Sequence, residues 1–237
     1  FSYYGMRAHL IFYLTKHWEF SDASSYLIYG AYTSLVYIMP VFGGMLADQV
    51  LGSKKAVTYG AILLVLGHTG MTVESEVQIF YLSLALIISG VGFLKPNIST
   101  LVGALYEEGD PRRDSGFTIF YMGINIGAFL APLACGYLGM SENWGWHYGF
   151  GAAGIGMLIG LLFFWRGITD GVFGENGNQP QEYKEKKMYG LRTDYFFYLV
   201  ALLLVPVSAL LVKYNALDTI SLLTINAVSY THLTLPT

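Results

Sequence analysis

The sequence predicts an all-α membrane protein: a six-helix bundle followed by one further transmembrane helix. Three observations carry that expectation. Hydrophobic residues fill 54% of the 237 positions and charged residues only 12%, about half the ~25% usual in a soluble domain. The apolar residues are gathered in long blocks, near the roughly 20 that a membrane helix needs. Most basic residues fall in alternate connections between the blocks, as loop charge does when it sets orientation. The net charge of −3 gives no nucleic-acid footprint. The single cysteine, Cys135, excludes an internal disulfide framework and reads as a packed thiol.

The blocks run, in order, over residues 1–18, 25–47, 56–73, 77–106, 117–140 and 148–165, with a seventh at 195–212. Backbone groups in lipid must pair within their own segment, which makes these helices; a barrel would show short alternating strands. Lys54 and Lys55 follow the second block, and Arg112 and Arg113 follow the fourth. Arg166, Lys184, Lys186, Lys187 and Arg192 follow the sixth. Lys16 and Lys213 lie at the opposite ends, and Arg7 and Lys95 lie within blocks. The loops after spans two, four and six are therefore expected in the cytoplasm of a cell-membrane protein.

Residues 167–191 contain GENGNQPQEYKEKK, polar and rich in Gly, Pro and alternating charge, and read as a flexible linker. The domain expectation is a bundle over 1–166, a cytoplasmic linker over 167–194, the extra helix over 195–214 and a tail over 215–237. Six spans and a basic connection describe half of a twelve-span transporter, in which each half holds two inverted three-helix repeats. No sequence repeat is visible. The chain opens at Phe1 without an initiator Met, inside an apolar block, and is expected to be a fragment. Its last ten residues, VSYTHLTLPT, resemble a translated sequencing adapter and are set aside.

Lys95 stands deep in the fourth block, followed by Pro96 and Asn97. A Lys at the bilayer centre costs about 2.5–3.5 kcal/mol on insertion scales, so it faces a protein interior or a wet cavity. Arg7 shares a helical face with Tyr3 and Tyr4; it either snorkels to an interface or faces a cavity. No acid lies at mid-depth in any span, and two unpaired cations would cost roughly 5–7 kcal/mol. The anion must come from a ligand or from other protein. Gly90, Gly92 and Pro96 weaken the fourth helix, as in spans that bend around substrate. Asn125, with Tyr121 and two glycines nearby, fits either interhelical packing or a binding role, and Tyr37 fits a core, a belt or a pocket. The turn GGMLADQVLGSKK, holding Gly44, Asp48, Gly52, Lys54 and Lys55, is either a charged turn or a gate latch. The five histidines (His9, His17, His68, His147 and His232) show no metal spacing. Ser99 with His68 is the only nucleophile pairing that merits a check against an enzyme.

Taken together these segments resemble the proton-coupled oligopeptide transporters. FSYYGMR at residues 1–7 resembles the end of that family's ExxERFxYYGMR signature. GGMLADQVLGSKK is similar to its form of the major-facilitator loop. GFLKPNIS at 92–99 and FYMGINIGAFLAP at 120–132 are similar to its fourth- and fifth-span motifs. The resemblance covers residues 1–167 and implies a major-facilitator fold of two six-helix bundles. It implies import of di- and tripeptides with protons by alternating access, with no other cofactor. Arg7 would hold the peptide carboxylate, and Lys95 would bind it or couple protons. Asn125 would bond the peptide backbone, and Tyr3, Tyr4 and Tyr37 would line the pocket. The seventh span resembles the extra helix of prokaryotic members. The expected partners are di-/tripeptides, protons, the bilayer and a second six-helix bundle. The family's two glutamates and the arginine beside them would precede Phe1, and the pocket histidine of animal members would fall near Gly30. The chain alone is expected not to transport. A carrier for nitrate or another small anion, and a peptide sensor that no longer transports, are the alternative readings.

Overall fold

The computed structural model describes residues 1–141 and 143–214; the tail at 215–237, with its adapter-like end and His232, lies outside the described residues. Helices occupy all seven predicted spans: α1 (Ser2–Lys16), α2 (Asp22–Leu46), α3 (Ser53–Gly70), α4 (Val77–Gly103), α5 (Arg113–Gly139) and α6 (Trp146–Thr169), then α7 (Gln181–Lys184), α8 (Thr193–Leu202) and α9 (Leu204–Lys213) around the linker. Among the described residues, five stretches are long and apolar enough to cross a membrane: Asp22–Leu51, Val77–Gly103, Arg113–Gly139, Trp146–Thr169 and Thr193–Lys213. The 15 residues of α1 and the 18 of α3 complete the bundle. α5 and α6 extend beyond their apolar blocks because a helix continues through polar end residues that hydropathy does not register.

Local chemistry sets several boundaries. Ser21 caps α2, its hydroxyl accepting from the Ser24 amide at 3.2 Å, which satisfies one of the free N–H groups of the first turn. α2 runs into a π-helical turn, Ala47–Leu51, that ends at Gly52 with φ +77°, a conformation that favours glycine. In the α4–α5 turn, hydrogen bonds from the Arg112 side chain hold the Asp110 carboxyl below the usual carboxylate range.

The core lies where α1, α2, α3, α4 and α6 meet. Tyr13, Tyr32, Phe80 and Phe150 are fully buried there, with Tyr13 edge-on to Phe150 at 4.8 Å. Glycines bring the backbones of α2 and α3 directly onto α4. A Cβ on Gly60 would lie 2.7 Å from the Gly90 carbonyl oxygen, and one on Gly43 would collide with that of Gly92. Small residues permit this approach in bilayers, where dispersion contacts replace the hydrophobic drive. α4 continues through Pro96, and Gly90 and Gly92, expected to weaken it, also serve close packing. Cys135 is buried as expected, beside Gly5 of α1.

Two expectations change. The seventh span is two helices, α8 and α9, meeting at Leu203. Pro206 has no amide hydrogen to donate to Leu202, and its ring crowds that carbonyl. The linker is folded rather than loose. It turns at residues 170–177, forms α7 and closes a two-stranded hairpin, with Lys187 opposite Arg192 and Met188 opposite Leu191. It then lies against the α2–α3 turn.

Candidate functional site

On α1, Tyr3, Tyr4 and Arg7 stand one turn apart, as the spacing requires. Arg7 reaches α2, where its Nε donates to the Tyr29 hydroxyl at 2.8 Å. The guanidinium carbon lies 5.8 Å from both the Tyr3 and Tyr29 ring centroids, within cation–π range. Tyr3 in turn packs edge-on against Tyr4 at 5.3 Å and stacks on Tyr32 at 6.5 Å. A groove of about 830 Å³ opens beside this cluster, lined by Tyr4, Arg7, Tyr26 and Tyr29, with Lys16 and Asp22 farther along and Pro132 of α5 at its edge.

Lys95 forms a second station. Its Nζ lies 4.9 Å from the Tyr37 ring centroid. Tyr29 and Tyr37 are eight residues apart on α2, about 12 Å along its axis. One helix therefore presents an aromatic seat to each of the two cations. Among the described residues, neither Arg7 nor Lys95 lies within 4.0 Å of a carboxylate. Asn125 is exposed on α5 and joins neither station. The groove does not include Tyr3, Tyr37, Lys95 or Asn125.

The turn after α2 is held by the linker. A Cβ on Gly52 would meet the Asn178 backbone at 2.5 Å. The Lys54 amide donates to the Gly177 carbonyl at 3.0 Å, and its ammonium to the Gly174 carbonyl at 2.6 Å and Asn178 Oδ1 at 2.8 Å. Lys55 donates to Gln179 Oε1 at 2.7 Å and pairs with Asp194 at 2.5 Å. Asp48 is exposed. Gly44 lies 3.9 Å, by its would-be Cβ, from Pro96, so the crowded glycine of the pair is Gly43. At the other end of the bundle, Glu74 lies between His17, at 3.9 Å, and His147, at 3.4 Å.

Sequence reasoning missed Tyr29, although its two-turn offset from Tyr37 was a usable signal. It also missed the linker groups that hold the lysines. Asn97 is buried, its Nδ2 donating to the Phe93 carbonyl at 2.7 Å and toward that of Gly43 at 3.3 Å, so it belongs to the glycine seam. Ser99 and His68 do not pair. His68 Nδ1 lies 2.7 Å from the Leu64 carbonyl and its Nε2 3.1 Å from the Ser2 hydroxyl, while Ser99 bonds the Lys95 carbonyl. Among the described residues no His, Cys, Asp and Glu group is placed to hold a metal ion.

Two cations seated on tyrosine in an apolar helical bundle, with no carboxylate within 4.0 Å among the described residues, define a membrane protein with a site suited to an anion. The comparisons give the family. The pattern of the POT family matches residues 54–185, more than half of the chain, and the chain belongs to that family. It is 37% identical over 223 residues to a di-/tripeptide transporter of Lactococcus lactis subsp. lactis (strain IL1403), covering 91% of this chain and 44% of the relative. It is 41% identical over 228 residues to the uncharacterized transporter YclF of Bacillus subtilis (strain 168), covering 94% of this chain and 46% of the relative. A crystal structure of a mutant peptide transporter POT in complex with alafosfalin superposes with a TM-score of 0.72 at 40% identity, over 89% of this chain and 43% of that one. A bacterial homologue of the human drug peptide transporters gives a TM-score of 0.79 at 28% identity, over 98% of this chain and 50% of that one. The fold is thus the all-α, multi-pass membrane fold of these transporters. The chain spans about half the length of the relatives it matches.

Proposed function

We propose that this chain supplies the first of two bundles in a proton-coupled symporter of di- and tripeptides, a carrier and not an enzyme. The observation that carries the reading is the pair of cations, Arg7 and Lys95, each on a tyrosine face and neither beside a carboxylate. Such groups await an anion. In this reading the peptide carboxylate binds Arg7, whose plane is fixed by the Tyr29 hydroxyl; Tyr4 walls the groove and Tyr3 stands behind it against Arg7. Lys95, on Tyr37, takes the carboxylate or exchanges charge with the coupling proton; no other cofactor is needed. Asn125, exposed on α5, bonds the peptide backbone when a second six-helix bundle closes over that face. The loops after α2, α4 and α6 lie in the cytoplasm, because nine basic residues gather at that end. There the Gly44–Lys55 turn, with Asp48, Gly52 and Lys54, acts as a gate latch.

The test is dipeptide uptake into vesicles by a full-length carrier containing this chain, with an imposed proton gradient. Uptake should follow the gradient, and Arg7→Ala and Lys95→Ala should each abolish it while membrane insertion survives. Uptake indifferent to the gradient rejects the coupling, and unchanged uptake in both variants rejects the site. A second reading, transport of another small anion, is favoured by the same cations, which need only a negative charge. A 32% identical POT family structure is a complex with 5-aminolevulinic acid, a carboxylate without a peptide bond. Competition between dipeptide, 5-aminolevulinic acid and nitrate separates the two.

A further inference from the structure

A second groove of about 830 Å³ lies at the lysine-rich end, between α3, the end of α6, the folded linker and the start of α8. Five cationic side chains line it, Lys54, Lys55, Lys184, Lys187 and Arg192, against one lining carboxylate, Glu185. The charge is not cancelled from behind. Asp194 is buried and is shared, accepting from Lys55 at 2.5 Å and from Arg192 at 2.8 Å. Lys54 is held by neutral oxygens of Gly174 and Asn178. Lys184 and Lys187 make no ion pair among the described residues. With Glu185, Asp194 and Glu175, which accepts from the groove residue Asn178 at 2.6 Å, all counted, two positive charges remain uncompensated in a chain whose net charge is −3. The excess is therefore local and concentrated in a concave site.

The surroundings indicate what such a site meets. Tyr198 lines the groove and stacks on Tyr59 at 4.7 Å, and Tyr195 lies under Arg192 at 5.2 Å. Tyrosines at a helix end mark the headgroup level of a bilayer. From that level Leu199, Leu202 and Leu203 continue as an exposed apolar surface suited to acyl chains. Basic pockets between helices at this level suit anionic headgroups.

We propose that this groove binds a phosphate-bearing anion, either the headgroup of an acidic phospholipid or free phosphate, with Lys184 and Lys187 closing on it from the linker. Bound there, the anion ties the linker hairpin to the α2–α3 turn and to α8. The site rests on the membrane placement of the chain and not on peptide transport, so its failure leaves the transport reading intact.

The whole chain, purified in neutral detergent, is titrated with phosphatidylglycerol, with phosphatidylcholine and with sodium phosphate against sodium chloride of equal ionic strength. The thermal midpoint is followed in each case. Saturable stabilisation by phosphatidylglycerol but not phosphatidylcholine identifies the lipid, and saturable stabilisation by phosphate alone identifies the soluble anion. In either case Lys184→Gln with Lys187→Gln should weaken the apparent affinity about thirtyfold, about fivefold for each lysine at roughly 1 kcal/mol per basic residue. Lys186→Gln, which removes the same charge from an ion pair with Glu182 away from the groove, should leave it unchanged. Equal response to the two lipids with no phosphate effect overturns the proposal. So does full affinity in the double variant, or an equal loss in Lys186→Gln.

Discussion

α4 and α5 are both 27 residues long, both apolar and both contain a proline. In the most apolar window of α4, 67% of the residues are buried; in that of α5, 6% are. The difference comes from the neighbours: α4 is packed against α2, α3 and α9, whereas α5 meets mainly α1 and α6 along one side. α4 meets α2 and α3 through glycine against glycine, so backbones touch and the flanking Leu and Ile residues close around them. α5 carries Ile119, Phe129, Leu133 and Tyr137 outward, each more than half exposed, on a face open to lipid or to a second bundle. One helix is an internal strut and the other presents an open face.

The largest effect should follow from placing a side chain in the seam. Gly60→Leu would drive its Cβ to 2.7 Å from the Gly90 carbonyl, and overpacking of that kind costs about 3 kcal/mol. Gly123→Leu, on α5 with no atom within 4 Å of its would-be Cβ, should change stability by less than about 0.5 kcal/mol. Thermal unfolding in detergent compares them. Equal losses would mean that α5 is packed as tightly as α4.

The two asparagines divide the same way. Asn97→Leu removes the buried donor to Phe93 and Gly43 and should cost about 1 kcal/mol of stability. Asn125→Leu should leave the unfolding midpoint in place and lower dipeptide uptake by the full-length carrier. A loss of stability in Asn125→Leu with normal uptake would make α5 structural after all.

This contrast explains which features were legible in sequence. Span positions were, because hydropathy reports apolar runs directly. The cations at Arg7 and Lys95 were, because a charge inside an apolar block is conspicuous. Their tyrosine seats were only half legible. Tyr37 stood out beside no other candidate, while Tyr29 looked like one of many phenols until Arg7 was seen to donate to it. The folded linker was not legible. Its Gly, Pro and alternating charges are the composition of a loose chain, and what holds it are single hydrogen bonds from Lys54 and Lys55, more than 100 residues away in sequence. The seam was half legible: Gly43 lies in a stretch whose glycines permit close approach, but at Gly90 and Gly92 a glycine that weakens a helix and one that admits a neighbour are the same letter.

A smaller effect probes the exposed side of the comparison. Tyr29→Phe keeps the ring that faces Arg7 but removes the acceptor of its Nε. A hydrogen bond to a charged group contributes roughly 1.5–3 kcal/mol when buried; partial exposure of Arg7 reduces this to about 1 kcal/mol. The expected result is a five- to tenfold weaker apparent affinity for dipeptide with stability unchanged. Loss of stability without loss of affinity would place Tyr29 in the strut rather than in the site.

The smallest effect concerns the break between α8 and α9. The Leu203 amide is shared between the carbonyls of Leu199, at 3.2 Å, and Val200, at 3.1 Å, a tightened turn in place of a single helical bond. Pro206→Ala restores an amide that can donate to the Leu202 carbonyl and removes the ring that crowds it. A proline inside a helix costs up to ~3 kcal/mol relative to alanine, but most of that is already relieved by the break. The variant should therefore gain about 0.5–1 kcal/mol in thermal unfolding and join the two helices into one, read as slower amide exchange at residues 202–206. Val205, Ser208 and Val212 of α9 are buried, so the joined helix must keep that face. If Pro206→Ala instead destabilises the chain, the break is required for α9 to pack on α4, and that contact is as demanding as those of the seam.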